Sequence, residues 1–196
     1  MKILLLVLLY STAVFAINPG EDAIDFKLLD QNDKEVRLSQ FKGKYIILEW
    51  YNKGCPYVRK HYDSKNMQSL QKLYSENKEV VWLSIISSAK GKQGYLETAQ
   101  EVLENMQSEK SLADHVLRDL DGKIGRSYEA RTTPHIFIIG PKFKVQYTGA
   151  IDSIASADKN DITSATNYIT SSISKLMLAE KPDPQKTSSY GCSVKY

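Results

Sequence analysis

The stretch Tyr45-Ile46-Ile47-Leu48-Glu49-Trp50-Tyr51-Asn52-Lys53-Gly54-Cys55-Pro56-Tyr57 carries the strongest signal for both fold and chemistry. Its first seven residues are almost continuously apolar, which is typical of a central strand covered on both faces. The next three residues predict a turn, and a helical pattern begins directly after Cys55. Pro56 suits the first helical turn, where a missing N–H costs nothing. The stretch therefore predicts a strand, a turn and a helix, with Cys55 at the helix start.

A cysteine at a helix start is a candidate nucleophile. The unpaired N–H groups and the positive end of the helix dipole favour thiolate over thiol, and the thiolate is the reactive form. Nearby basic side chains are expected to lower its pKa further: Lys53, Arg59, Lys60 and His61. The alternative is a buried, inert cysteine, but these usually lie inside apolar runs rather than at a Gly-Cys-Pro strand end.

The first 16 of the 196 residues resemble a signal peptide. A basic start at Lys2 precedes an apolar segment, and Val14-Phe15-Ala16 carries small residues at the positions that a signal peptidase reads. The apolar segment is short for a bilayer, so no stable membrane span is expected, although an uncleaved anchor is an alternative. We therefore expect export, to a periplasm or to the outside. Residues 17–180 are expected to form one domain, followed by a flexible C-terminal tail at 181–196.

The bulk composition excludes several function classes. The formal net charge is +3, from 26 basic and 23 acidic residues mixed along the chain, so no nucleic-acid partner is expected. The chain has two cysteines, Cys55 and Cys192, which is too few for a disulfide scaffold. No motif indicates a nucleotide, flavin or metal, so no cofactor is expected.

The remaining pattern predicts the element order β-β-β-α-β-α-β-α-β-β-α. It includes one long helix from Tyr57 to about Asn77, a strand at Val80 to Ile86, and a final helix from Thr163 to Ala179. Helices interleaved with apolar strands indicate an α/β fold whose sheet has parallel members and helices on both faces. The last two strands read as a hairpin, so the sheet is expected to be mixed.

This order resembles the thioredoxin superfamily, most closely the exported redoxin branch related to peroxiredoxins and thiol–disulfide oxidoreductases. Four segments between Pro19 and Ala179 carry the resemblance: Gly20 to Phe26, Leu38 to Lys44, Trp50 to Val58, and Thr132-Thr133-Pro134. The resemblance implies a thioredoxin-like fold and a cis bond between Thr133 and Pro134. It also implies that this turn lies beside the reactive sulfur and offers backbone groups to an incoming substrate.

The chain departs from both patterns that it resembles. Val58 stands where a C-x-x-C site has its second cysteine, so Cys55 cannot form the usual local disulfide. Peroxiredoxins place a threonine three residues before the reactive cysteine, where this chain has Asn52. The Asn52 side chain could still donate to a peroxide or to the thiolate. The peroxiredoxin arginine aligns poorly, and Arg131 is the nearest candidate.

Two further side chains near Cys55 are candidates for shaping the site. Glu49 is an acid inside an apolar strand, where charged groups are rarely buried without a partner. It either takes part in proton transfer near Cys55, as acids below the site do in this superfamily, or faces outward at the strand end. Tyr51 is expected to shape the site together with the turn at Thr133 and Pro134.

Cys192 lies in a polar tail long enough to reach across the domain. Our hypothesis is that it resolves Cys55, closing an internal bridge after Cys55 has reacted with a peroxide or a disulfide. Three alternatives remain: a bridge to Cys192 of another chain, resolution of the partner's Cys55 in a dimer, and a permanent Cys55–Cys192 staple. The oligomeric state stays open.

The sequence therefore predicts a thiol-dependent, peroxiredoxin-like antioxidant oxidoreductase with Cys55 as nucleophile. The electrophile is a peroxide or a disulfide-bearing protein, and electrons come from an external thiol reductant. The alternatives are a thiol–disulfide reductase or isomerase, and a binding module on the same fold that has lost catalysis.

Overall fold

The computed structural model describes residues 17–196, so the predicted signal peptide lies outside the described residues. The strands in the described range are β1 (Lys27–Leu29), β2 (Glu35–Arg37), β3 (Tyr45–Trp50), β4 (Val80–Ile86), β5 (His115–Arg118), β6 (Thr132–Thr133), β7 (His135–Ile139), β8 (Val145–Gly149) and β9 (Cys192–Ser193). The α-helices are α1 (Pro56–Asp63), α2 (Asn66–Ser75), α3 (Ala99–Glu109), α4 (Lys123–Ser127) and α5 (Tyr168–Met177). Short 3₁₀ helices lie at Leu38–Phe41 and Lys159–Thr163.

Seven strands form one mixed sheet in the order β2-β1-β5-β4-β3-β7-β8. Strand β3 pairs in parallel with β4 and antiparallel with β7, so that Trp50 lies opposite both Ile85 and His135. The end of β3, from which the chain continues to Cys55, therefore lies at the middle of the sheet. The mixed sheet and the thioredoxin-like architecture confirm the predicted fold class.

Both faces of the sheet are covered. Helices α1, α2, α3 and α5 pack on one face, where the apolar cluster includes Ile47, Cys55, Val102 and Ile173. The other face packs against the N-terminal segment, the first 3₁₀ helix and α4. Within residues 17–196, no helix is long and apolar enough to cross a membrane.

The long helix predicted after Cys55 is in fact two helices, α1 and α2. The break falls at Ser64 and Lys65, and Lys65 adopts a left-handed backbone with φ of 63°. The Ser64 hydroxyl donates to the carbonyl of His61 and accepts from the amide of Asn66, which offers the backbone an alternative to helical pairing. The final helix also begins later than predicted, because Asn167 caps it by accepting from the amide of Thr170.

The C-terminal tail differs from the flexible segment that was expected, because it is hydrogen-bonded along the domain. The amide of Thr148 donates to the carbonyl of Gln185, and the amide of Thr187 donates to the carbonyl of Thr148. Further on, β9 pairs antiparallel with β6. Glycines make room for this path: a Cβ at Gly149 would lie 2.2 Å from Thr187 Oγ1. The tail is therefore docked by backbone hydrogen bonds to the domain, and a glycine of the domain leaves space for it.

Candidate active site around Cys55 and Cys192

The turn before Cys55 is built by Asn52. Its Oδ1 accepts from the amide of Gly54 at 2.9 Å, and its Nδ2 donates to the carbonyl of Gln93 at 3.0 Å. The amide of Cys55 donates to the Asn52 carbonyl at 3.0 Å. Both polar atoms of the Asn52 side chain are thus engaged in holding the turn. The expected role of Asn52 as a donor to a peroxide or to the thiolate stays a prediction, since its Nδ2 carries a second N–H.

Cys55 occupies the N-cap position of α1, with Pro56 at the first helical position as predicted. Its side chain is fully buried, and its thiol donates to the carbonyl oxygen of Thr133 at 3.0 Å. The peptide bond between Thr133 and Pro134 is cis, as the resemblance implied. The structure therefore places the end of β3, the start of α1 and the cis-proline turn around a single sulfur atom.

Cys192 lies beside Cys55 because β9 pairs with the strand that precedes the cis proline. Cys192 is directly opposite Thr133 in this pairing. Gly191 has φ of 132°, and a Cβ there would lie only 2.1 Å from the Thr133 carbonyl oxygen. The absence of a side chain at Gly191 thus permits the close approach. Both cysteines are free thiols, and Cys192 is partly exposed whereas Cys55 is buried.

The two thiols have opposite pKa shifts. Burial by itself raises the pKa of Cys55, but hydrogen bonds from Cys192, Thr133 and the amide of Val58 outweigh it and lower the pKa below 9.0. Burial, together with hydrogen bonding to Cys55 and the charge of its thiolate, raises the pKa of Cys192 to about 11. Cys55 is therefore the thiol of the pair that ionises more readily, and Cys192 keeps its proton to a higher pH and can donate to the Cys55 thiolate.

The basic side chains near Cys55 do not cause its shift, contrary to the sequence-based expectation. Arg59 is paired with Asp63 and Glu109. Lys60 is buried and paired with Asp152. His61 stays neutral, because burial lowers its pKa to about 4. The lowered pKa of Cys55 arises instead from hydrogen bonds, including one from the first turn of the helix.

The hydroxyl of Thr133 has no hydrogen-bond partner in the described part of the chain, although the residue is only 2% exposed. Its side chain nevertheless lowers the pKa of Cys55, so the hydroxyl faces the sulfur outside ideal hydrogen-bond geometry. A buried hydroxyl without a partner costs free energy. An ionised or oxidised sulfur at Cys55 would accept a hydrogen bond from the Thr133 hydroxyl, so Thr133 favours these forms of Cys55.

Glu49 is fully buried, which excludes the interpretation that it faces outward. Its Oε2 accepts from Trp82 Nε1 at 2.9 Å and from Ser84 Oγ at 2.8 Å, and its Oε1 accepts from the Tyr62 hydroxyl at 3.1 Å. Burial raises the pKa of Glu49 despite these donors. Its hydrogen bonds run to Tyr62 of α1 and to Trp82 and Ser84 of β4 rather than to Cys55.

Two other predicted site residues, Tyr51 and Arg131, lie in different surroundings. Tyr51 is buried in the same apolar cluster as Cys55, and its hydroxyl donates to Asn105 Oδ1 at 2.9 Å. The Arg131 side chain is 75% exposed and pairs with Glu129 at 3.3 Å, so its guanidinium does not lie behind the sulfur. Arg131 contributes its backbone instead, since its carbonyl accepts from the amide of Val194 in the tail.

A buried polar cluster escaped the sequence analysis. Lys60 Nζ donates to Asp152 Oδ2 and to the carbonyl of Ile154, each at 3.0 Å. The hydroxyl of Tyr190, two residues before Cys192, donates to Asp152 Oδ1. His61 Nε2 lies 3.7 Å from Asp152 Oδ2. Nothing in the local sequence marks this cluster, because its members come from α1, the segment after β8 and the tail.

Among residues 17–196, no group of three or more His, Cys, Asp or Glu side chains is placed to hold a metal ion. The arrangement offers thiol chemistry: one thiol with a lowered pKa, a second thiol with a raised pKa beside it, and backbone and hydroxyl groups from the cis-proline turn.

A family model described as the AhpC/TSA family matches residues 19–148. The chain belongs to the AhpC/TSA family. It is also 27% identical over 137 residues to the thiol-disulfide oxidoreductase ResA of Bacillus subtilis (strain 168), covering 68% of this chain and 70% of that one. These matches make this redoxin a thiol-based oxidoreductase of the thioredoxin superfamily.

Solved structures agree on the fold of this AhpC/TSA member. An uncharacterized conserved protein from Geobacillus kaustophilus aligns with a TM-score of 0.78 at 20% identity, covering 92% of this chain and 93% of that one. The peroxidoxin BcpB of Mycobacterium tuberculosis aligns with a TM-score of 0.51 at 18% identity, covering 66% and 83%.

Proposed function

We propose that this redoxin exchanges disulfides, with Cys55 as the nucleophile and Cys192 as the resolving thiol of the same chain. The observation that carries the proposal is the docking of Cys192 opposite Thr133, beside a Cys55 whose pKa is shifted the other way. This placement favours resolution within one chain over a bridge between chains, because both sulfurs already meet in the monomer.

The proposed reaction has two steps. The Cys55 thiolate attacks one sulfur of a substrate disulfide, forms a mixed disulfide and expels the other substrate sulfur as a thiolate. The charge on Cys55 is thereby lost, and with it the charge and hydrogen bond that raise the pKa of Cys192. Cys192 then loses its proton to solvent, attacks the Cys55 sulfur and releases the second substrate thiol.

The balance of this cycle is a two-electron transfer. The substrate disulfide is reduced to two thiols, and the two cysteines are oxidised to a Cys55–Cys192 disulfide. An external dithiol must then reduce this internal bridge. Such a reductant is the expected partner, together with the disulfide-bearing substrate.

A disulfide substrate is favoured over a peroxide by what surrounds the sulfur. Both amide atoms of Asn52 are used in the turn, and the Arg131 guanidinium points to solvent. The hydrogen bonds and ion pair of these two side chains therefore run to groups other than the Cys55 sulfur. The pairing of β9 with β6 also demonstrates that the backbone at Thr133 accepts an extended segment containing a cysteine.

Peroxide reduction is the second candidate, and the free hydroxyl of Thr133 is the observation that favours it. This hydroxyl is buried beside the sulfur and could donate to a peroxide oxygen or to the sulfenic acid of Cys55. In this variant of the cycle, the Cys55 thiolate attacks one peroxide oxygen, the O–O bond breaks, the other oxygen leaves as water, and Cys55 becomes a sulfenic acid. Cys192 then attacks the Cys55 sulfur, forms the internal disulfide and expels the retained oxygen as a second water.

The experiment compares oxidised glutathione and hydrogen peroxide as single-turnover oxidants of the reduced protein, followed by intact mass. We expect faster oxidation by glutathione disulfide and an internal disulfide as the product. Cys192→Ser should stop at the mixed disulfide with glutathione, and Cys55→Ser should react with neither oxidant at the wild-type rate. A faster reaction with peroxide would favour the second candidate, and an inert Cys55 would refute both.

We further propose that the protein is exported with residues 1–16 removed. The basic start, apolar segment and small residues before position 17 support this. The intact mass of the protein recovered from outside the cytoplasm tests it, since a mature chain should begin at Ile17. A recovered chain that retains Met1 would contradict cleavage.

A further inference from the structure

The buried polar cluster around Asp152 binds the tail at Tyr190, two residues before Cys192. Tyr190 donates to Asp152 Oδ1, while Lys60 donates to Asp152 Oδ2, and the Lys60 ammonium lies 5.6 Å from the centre of the Tyr190 ring. Tyr57 packs edge-on against the same ring at 5.8 Å. The His61 ring completes the surroundings, with Nε2 at 3.5 Å from the Tyr190 hydroxyl.

Most of the groups that contact Tyr190 belong to the domain rather than to the tail. Lys60 and Asp152 are both almost completely buried, and Lys60 is also held by the carbonyl of Ile154. A buried ion pair whose remaining polar groups are satisfied keeps one geometry. The Tyr190 hydroxyl supplies the remaining donor to Asp152 Oδ1, apart from the amide of Ile154. Tyr190 of the tail thus joins a cluster whose other members, Lys60 and Asp152, belong to the domain.

A second anchor lies on the other side of Cys192. The Tyr196 hydroxyl donates to the carbonyl of Ala130 at 2.8 Å, and its ring lies 4.4 Å from the Arg126 guanidinium. A Cβ at Gly125 would lie 2.5 Å from the Tyr196 hydroxyl oxygen, so a glycine leaves the space for it. Alternate residues from Tyr190 to Tyr196 therefore contact the domain, and Cys192 lies between the two aromatic anchors.

We propose that Tyr190 is a positioning residue that latches the tail over Cys55. The inference rests on the proposed function and adds a regulation to it. When the latch is closed, the tail covers the buried Cys55 sulfur and restrains the first attack. The same latch then holds Cys192 where it attacks the Cys55 mixed disulfide. Tyr190 should therefore affect the two steps of the cycle in opposite directions.

Dithiobis(nitrobenzoate), a symmetrical aromatic disulfide, reports the two steps separately. Attack by Cys55 releases one coloured nitrothiobenzoate and leaves the other bound to Cys55 as a mixed disulfide. Attack by Cys192 on the Cys55 sulfur then releases the second. One reagent molecule is reduced and one internal disulfide forms, so atoms and electrons balance. Stopped-flow absorbance after mixing equimolar reagent with reduced protein gives both rates.

At a pH where Cys55 is fully ionised in both proteins, we expect Tyr190→Phe to release the first nitrothiobenzoate faster and the second more slowly. Each rate should change by about tenfold, because a hydrogen bond to a charged group is lost. Tyr190→Ala should enlarge both changes by removing the ring as well. Tyr45→Phe is the matched control, since it loses a hydroxyl bond to the carbonyl of Leu176, at the opposite end of β3 from Cys55. The control should retain wild-type rates for both steps.

Opposite changes in the two release rates distinguish a latch from a general loosening of the fold. Tyr45→Phe controls for such loosening if its melting temperature is similar to that of Tyr190→Phe. A second release of nitrothiobenzoate at the wild-type rate in both Tyr190 variants would overturn the latch. So would changes of the same sign in both steps. A different result would contradict the proposed function itself. If Cys192 is not the resolving thiol, Cys192→Ser should still release the second nitrothiobenzoate as fast as the wild type.

Discussion

Gly191→Ala gives a direct test of whether the docked tail matters for the chemistry. The added Cβ would lie 2.1 Å from the Thr133 carbonyl oxygen, against the 3.0 Å below which real Cβ contacts essentially never fall. The nearby atoms are backbone, so no flexible side chain can yield. The tail must therefore move by at least the difference, 0.9 Å, away from the cis-proline turn.

A displacement of about 1 Å of one reacting group typically lowers the rate by about a hundredfold. We expect the closure step between Cys55 and Cys192 to slow by about that factor, because Cys192 lies next to the displaced glycine and pairs with Thr133. The pKa of Cys55 should rise at the same time, since the hydrogen bonds from Cys192 that lower it are weakened.

The assay is the second release of nitrothiobenzoate, and Gly43→Ala is its control. Gly43 has φ of 91°, but a Cβ there would meet nothing within 4 Å. Both variants thus place alanine in a backbone conformation that it rarely adopts, and only Gly191→Ala adds the clash. Closure in Gly191→Ala as fast as in Gly43→Ala would refute the reasoning.

Three further predictions concern individual side chains. Cys192→Ala removes the side-chain donor to Cys55 and should raise the pKa of Cys55, measured as the pH dependence of alkylation by iodoacetamide; an unchanged pKa would contradict the assigned cause. Asp152→Ala leaves Lys60 buried without its counter-charge and should lower the free energy of unfolding in urea by about 3–5 kcal/mol, whereas a neutral change would show that Lys60 reaches water. Glu49 has a folded pKa above 4.5, so the folded state holds its proton longer than the unfolded chain, and stability from this group falls as the pH rises from 4.5 through the folded pKa. Glu49→Gln should remove that decline from a pH series of urea unfolding curves, and an identical decline in the variant would assign it to another group.

The features that were predictable from the sequence are local. The strand Val80–Ile86 has the predicted bounds because a continuous apolar run flanked by polar residues leaves few alternatives. Cys55 at the start of a helix followed from a short stretch containing a glycine and a proline. The cis bond at Pro134 followed from the resemblance of the whole element order, since a single Thr-Pro pair does not predict it.

The features that were missed depend on contacts distant in sequence. Lys60 and Asp152 are 92 positions apart, and neither has a neighbour that indicates an ion pair. The docked tail depends on spaces left by glycines such as Gly149 and Gly125, which look like ordinary turn residues in the sequence. The break between α1 and α2 depends on one serine hydroxyl, because the apolar spacing continues across it.

The pairing of the tail with Thr148 has a consequence for aggregation. Strand β8 is the last strand of the sheet, and an exposed edge strand is a template for pairing with another chain. Gln185 and Thr187 occupy the hydrogen-bonding groups of Thr148 on that edge. Only the part of the tail beyond Thr187 needs to leave for Cys55 to become accessible. The enzyme can therefore expose Cys55 while the edge strand β8 remains paired at Thr148 and protected from pairing with another chain.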